Sequence, residues 1–205
     1  EGTLIDAMDD DRTVVLRGKL HKSVPEFTGK FGLGRLGVLN GYLNYEGEDK
    51  EGKAVRASVE VGHEERNGEN VPTQLSFSIP GAMQSTYRVI VSELVDAQIK
   101  TANFKGAKWD VEVMPTQKAI KDLQYFAGIL GAFDPLFTVK TVDGDLKFFI
   151  GDRSTDRVEL PFASNVTGEL KSGWSFPLST VLTILKLGDT STMSVKISDQ
   201  GAMMI

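Results

Sequence analysis

Gly32-Leu33-Gly34-Arg35-Leu36-Gly37 spells GxGxxG, a spacing that lets a backbone approach the pyrophosphate of a dinucleotide. That chemistry needs a strand before the glycines, a helix after them, and an acidic residue ending a second strand about 20 residues on. Phe27 to Phe31 can supply the first strand. Asp49 and Glu51, however, sit in a Gly/Glu-rich turn, and no parallel strand–helix alternation follows. A nucleotide-binding enzyme built on Gly32–Gly37 therefore stands as an alternative and not as the leading reading. His21 and His63 have no partner spacing for a metal or a catalytic triad and read as surface residues. Asp143 and Asp145 match two ligands of a calcium loop without its later ones, whereas Asp143-Gly144 is a hairpin signal. Asn165-Val166-Thr167 is a glycosylation sequon with no secretory context around it. The carboxylates form no recognisable acid/base pair. With no cysteine at all, thiolate metal sites and cysteine nucleophiles are excluded. The expectation is a protein that is not an enzyme and holds no metal and no cofactor.

The remaining chemistry is Coulombic. Lys118 and Lys121 lie on one side of an apolar helical repeat, Lys186 lies on the outer side of another, and Arg35 adjoins a third. Cations so placed are either the solvated faces of amphipathic helices or contacts for an anionic polymer. The chain has 205 residues, 40% hydrophobic and 25% charged, with a formal net charge of -5. That balance is ordinary for a globular protein and argues against one that coats nucleic acid all over. It leaves room for a local basic face. No apolar run approaches the roughly 18 residues of a membrane span, and no signal peptide opens the chain, so a cytoplasmic protein is expected.

The elements that would position those cations are mostly strands. Thr13–Leu20, Leu75–Ile79, Val111–Val113, Thr138–Val142, Arg157–Leu160 and Met193–Ile197 are β-branched or alternate with period two. Three stretches have helical spacing instead. Pro115 to Leu130 puts Ala119, Ile120, Leu123, Phe126, Ala127 and Leu130 on one face, with Pro115 in the first turn. Ser179 to Leu187 has Ser179 as its N-cap and stops at Gly188. Leu33 to Tyr45 repeats Leu36, Leu39 and Leu43 despite its glycines. Between 47 and 71 one strand, Ala54–Val61, precedes an expected loop over Gly62–Asn70. Polar Asp96 to Lys108 reads as a connector between two domains.

Self-comparison reveals a repeat. Asp11-Arg12 precedes Phe31-x-Leu33 by 20 residues, and Asp156-Arg157 precedes Phe176-x-Leu178 by the same interval. Both pairs share an offset of 145 residues, as do Val15 with Leu160, Leu36 with Val181, and Leu39 with Ile184. Each copy reads strand, strand, short helix, strand. A chance match among common apolar residues is the competing explanation. The second copy has an earlier strand and helix, Trp109 to Leu130, whose counterpart would lie before Glu1. The start without Met, and the end inside the apolar run Ala202–Ile205, suggest a chain cut at both ends.

Four stretches resemble the sliding clamps of large tailed bacteriophages, the processivity factors of DNA polymerases. They are Gly34–Leu43, the connector Lys100-Thr101-Ala102-Asn103-Phe104-Lys105-Gly106, Trp109–Leu123, and Phe176–Ile205. The resemblance implies an α+β DNA clamp fold of two tandem domains, with antiparallel sheets and two helices per complete domain. A clamp domain incomplete at its start would span 1–95, a connector 96–108, and a second domain lacking its last strands 109–205. Three identical subunits would form a ring, helices lining a hole around duplex DNA, in the cytoplasm of the infected host. Partners would be double-stranded DNA without regard to sequence, a DNA polymerase and a clamp loader. A β-rich phage structural protein whose tandem domains only pack is a further alternative.

A sliding contact calls for sparse cations near phosphates and few contacts to bases. On the 115–130 helix the face away from the core carries Lys118, Lys121 and Tyr125; on the 179–187 helix it carries Ser179, Thr183 and Lys186. With Arg35 these are the expected DNA-facing residues. The family also takes short partner peptides in an apolar pocket near the connector, where Phe104 is the candidate; an isolated connector aromatic also serves simply to anchor a loop.

Overall fold

The computed structural model describes residues 2–11, 13–49, 51–66, 68–99, 106–152, 154 and 156–205. The chain divides into two compact units, Glu1–Phe104 and Lys105–Ile205. It is mixed α+β, and every strand pairing among the described residues is antiparallel.

In the first unit β1 (Leu4–Met8) and β2 (Val15–Lys19) form a two-stranded ribbon. Its turn is tied by the Asp9 carboxylate, which accepts from the Thr13 and Val14 amides, each at 2.8 Å, and from the Thr13 hydroxyl at 2.7 Å. Helix α1 (Leu36–Leu43) follows, then the short hairpin β3 (Glu46–Glu48) and β4 (Ala54–Arg56). A three-stranded sheet of β5 (Ser58–Arg66), β6 (Glu69–Ile79) and β7 (Met83–Arg88) comes next, and α2 (Ser92–Ile99) ends the described part. Strand β6 buries Thr73, Leu75, Phe77 and Ile79, the alternation of a sheet covered on one face. Helix α1 lies on that face through Leu39 and Tyr42, the Tyr42 ring 5.3 Å from Phe77.

Three expectations are corrected here. Gly62–Asn70 is not a loop: the ladder runs on from Gly62↔Gln74 across a bulge to Arg66↔Glu69. Charged residues such as Glu64 and Glu65 are tolerated because main-chain hydrogen bonds carry the pairing where both faces meet water. The glycine-rich helix is shorter than 33–45, because Gly34 and left-handed Arg35 (φ 34°, ψ 51°) cannot continue it backwards. Asp96–Lys108 does not begin as linker, since α2 occupies residues 92–99. Val95 is buried on that helix, and Asp96, the first residue of the expected connector, pairs from it with Lys30 at 2.7 Å.

The second unit runs β8 (Val111–Val113), α3 (Gln117–Leu130), β9 (Leu136–Val142), β10 (Asp145–Ile150), β11 (Val158–Ala163), β12 (Trp174–Pro177), α4 (Leu178–Leu187), β13 (Val195–Ile197) and β14 (Met203–Met204). One sheet has the order β11-β10-β9-β12, the other β14-β13-β8. Asp143 (φ 53°) and Gly144 (φ 82°) form the two-residue turn joining β9 to β10, as the hairpin signal required. The topology contains an exchange. Helix α3 is preceded by β8 and followed by β9, β10 and β11, while α4 is preceded by β12 and followed by β13 and β14; the strand before each helix pairs with the strand directly after the other: β8 with β13, β12 with β9. Neither half of the unit can close its sheet alone. Phe137, Phe148 and Phe162 pack in a row, the first pair tilted with centroids 4.8 Å apart and the second stacked at 4.1 Å, in one core that also takes Leu123, Leu182 and Leu185 from the helices.

Helix ends also differ from expectation. Thr116, not Pro115, starts α3: its hydroxyl accepts from the Ala119 amide at 3.1 Å, and Pro115 lies one residue outside. Ser179 sits inside the first turn of α4 and does not cap it; the N-cap position is held by Pro177, which has no side-chain acceptor. The 145-residue repeat survives as element order, with β2, an isolated bridge at Gly32, α1 and β3 against β11, β12, α4 and β13. It does not survive as burial. Val15, Leu33 and Leu36 are exposed where Leu160, Leu178 and Val181 are buried.

Candidate nucleic-acid interface

The two helices of the second unit pack against each other. Helix α3 turns Ala119, Ile120 and Leu123 inward, and α4 turns Leu178, Val181, Leu182 and Leu185 inward. At the end of α3 a Cβ at Gly131 would reach ordinary van der Waals contact with Cδ2 of Leu178, at 3.5 Å. What remains outward is Lys118, Lys121 and Tyr125 on α3 and Ser179, Thr183 and Lys186 on α4, all exposed. The six residues expected on sequence grounds therefore occupy the outer faces of one packed helix pair.

This surface differs in charge from the chain as a whole. The two helices carry Lys118, Lys121 and Lys186 against a single carboxylate, Asp122. Asp122 was not anticipated, although its position four residues after Lys118 is the spacing at which helical side chains meet. Lys118 Nζ forms an ion pair with it. The lysine side chain is 84% exposed, so the pair contributes little to stability and is weak enough for a phosphate to displace. No ion pair is found for Lys121 or Lys186 among the described residues. Lys121, Gln124 and Tyr125 line a shallow hollow. Thr183 donates its hydroxyl proton to the Ser179 carbonyl at 2.8 Å, so towards a ligand it offers only lone pairs.

Arg35 belongs to the first unit. Its side chain is exposed, and its carbonyl accepts from the Val38 amide at 2.9 Å to start α1, a helix with no charged residue of its own. The Gly34 carbonyl beside it accepts the hydroxyl of buried Tyr87. Burial pushes the Tyr87 phenol above its ordinary pKa, and the neighbouring Arg35 guanidinium opposes that shift. Nothing in the sequence announced this partnership, because 53 residues separate the two. Phe104, the candidate for a peptide pocket, lies outside the described residues.

Gly32 forms an antiparallel bridge with Ile90, so the GxGxxG segment lacks the parallel strand–helix–strand setting of a dinucleotide site. His63 bonds the Glu26 carbonyl at 2.7 Å and His21 is exposed. Among the described residues no group of His, Asp and Glu is arranged to hold a metal, and no helix is long and apolar enough to cross a membrane. No protein-family model matches the chain, and no curated protein matches it.

Proposed function

We propose that this chain is a subunit of a DNA sliding clamp of the tailed-bacteriophage type, a tether with no catalytic site. Three copies encircle duplex DNA in the infected cell's cytoplasm and hold the replicative polymerase on its template, after opening by a clamp loader. The supporting observation is the packed pair α3 and α4, whose outer faces carry three lysines and one carboxylate in a chain of net charge -5. Such a face attracts phosphates through counterion release without reading bases, and its few cations suit a contact that must slip. The antiparallel α+β second unit, in which each helix depends on the other's strands, supplies the rigid platform.

The test is binding of the chain to duplex DNA as salt is raised, with Lys118→Glu and Lys121→Glu introduced together. Affinity at low salt is expected to fall by at least about tenfold, and the salt dependence to weaken by roughly one unit of slope per lost phosphate contact. Sedimentation of the unaltered chain is expected to show a trimer. Undiminished DNA binding by the double variant overturns the assignment.

A further inference from the structure

Arg35 stands in an unusual place. Gly32, Gly34 and Gly37 surround it, yet the left-handed position is filled by the arginine, which adopts φ 34° against its preference. A glycine would take that conformation freely. The backbone around it is pinned from three sides. Gly32 and Ile90 exchange amide hydrogen bonds at 2.8 and 2.7 Å. A Cβ at Gly32 would lie 2.7 Å from Val95 Cγ2, and one at Gly34 3.1 Å from Ile90 Cδ1, so the segment is pressed against its neighbours. The third point is Tyr87, 1% exposed among Leu39, Leu75 and Phe77, whose hydroxyl is spent on the Gly34 carbonyl. The side chain projecting from this held backbone is an exposed guanidinium with no ion pair among the described residues.

We propose that Tyr87 is a positioning residue: through the Gly34 carbonyl it fixes the strained backbone of Arg35, so that the guanidinium meets a DNA phosphate from a prepared position. This rests on the sliding-clamp reading and adds to it a residue that touches no DNA. Backbone strain of this kind persists where the surroundings over-determine it, and it is expected to trade stability for function. A flexible arginine on an ordinary turn would have to be ordered anew at each phosphate as the ring moved; a held one would not.

The experiment measures salt-dependent duplex binding and thermal unfolding for Arg35→Gly, Tyr87→Phe, the two combined, and the Lys118→Glu/Lys121→Glu pair. Arg35→Gly is expected to raise the unfolding midpoint of the first unit while lowering affinity and cutting the salt slope by about one unit. Tyr87→Phe is expected to weaken binding several-fold in the parent and not at all where Arg35 is already glycine. Equal effects of Tyr87→Phe with and without Arg35 mean a structural role only and overturn the proposal. So does an Arg35→Gly variant that binds unchanged or unfolds earlier, and this arm stands even if Tyr87→Phe fails to fold. If the lysine pair weakens binding while Arg35→Gly does not, this inference falls and the clamp reading stands. If neither change weakens binding, both fall.

Discussion

Among the described residues, twenty-one hydrophobic side chains are buried in the second unit and six in the first, although the units are of nearly equal length. The strand and helix patterns of the two are alike; the layers are not. Strands β9, β10 and β11 of the second unit have helices against them and flanking strands beside them. The ribbon β1–β2, which stands at the place of β10–β11 in the repeat, exposes Leu4, Ile5, Val15 and Leu16. A two-stranded ribbon with both faces in water is marginal by itself. A core is therefore a property of covered faces and not of apolar content, and the first unit is expected to be the weaker of the two.

The largest test of that contrast is Phe148→Ala. Its ring stacks on Phe162 and packs at a tilt against Phe137, and removal leaves a cavity that the crowded sheet cannot close, a loss of about 3–5 kcal/mol. Both tryptophans, Trp109 and Trp174, lie in the second unit, so their fluorescence reports its unfolding in denaturant. The tryptophan transition is expected to move to much lower denaturant, while far-ultraviolet circular dichroism shows an earlier phase, from the first unit, that stays in place. One transition seen by both probes, moving as a whole, breaks the contrast.

A smaller effect separates the two helices of the stronger unit. Helix α3 is capped by the Thr116 side chain and α4 has no side-chain cap. Thr116→Ala is expected to cost about 1 kcal/mol and Ser179→Ala no more than about 0.5 kcal/mol, measured by the same fluorescence transition. Had Ser179 been the cap that sequence suggested, the two losses would be equal.

That pair of residues shows where sequence stops being legible. Periodicity placed α3, α4 and the outward residues Lys118, Lys121, Tyr125, Ser179, Thr183 and Lys186, and the Asp143-Gly144 pair placed the β9–β10 turn, because each is a local property of the chain. Serine before an apolar repeat resembles a cap, but β12 runs directly into α4 and moves the helix start to Leu178, where the Leu178 amide already donates to the Pro135 carbonyl at 2.9 Å. The long hairpin over 58–79 was hidden for a related reason: its charged tip, with Glu64 and Glu65 in β5, lacks alternation. Tyr87 acting on Gly34, and the exchange of β8 and β12 between halves, join residues far apart in the chain, and no window on the sequence contains both partners.

The smallest expected effect concerns acid. In the second unit Asp110 accepts from the Asp199 amide at 2.8 Å and lies 3.1 Å from Lys108 Nζ. The amide bond first, and the lysine after it, hold its carboxyl below the ordinary value of 3.8. A depressed value means the folded state prefers the charged form, so the contribution is complete above about pH 4 and drains away as pH falls through the folded value. Asp110→Asn is therefore expected to lower the tryptophan unfolding midpoint near neutrality and to converge with the parent in acid. Asp9 in the first unit is held low in the same direction, chiefly by the Val14 amide and then by the Thr13 side chain, but it secures only a ribbon turn. Its replacement by Asn is expected to leave the tryptophan signal where it was at every pH. A shift there would mean that the two units do not unfold independently, and the difference in their cores would then no longer set the order in which they are lost.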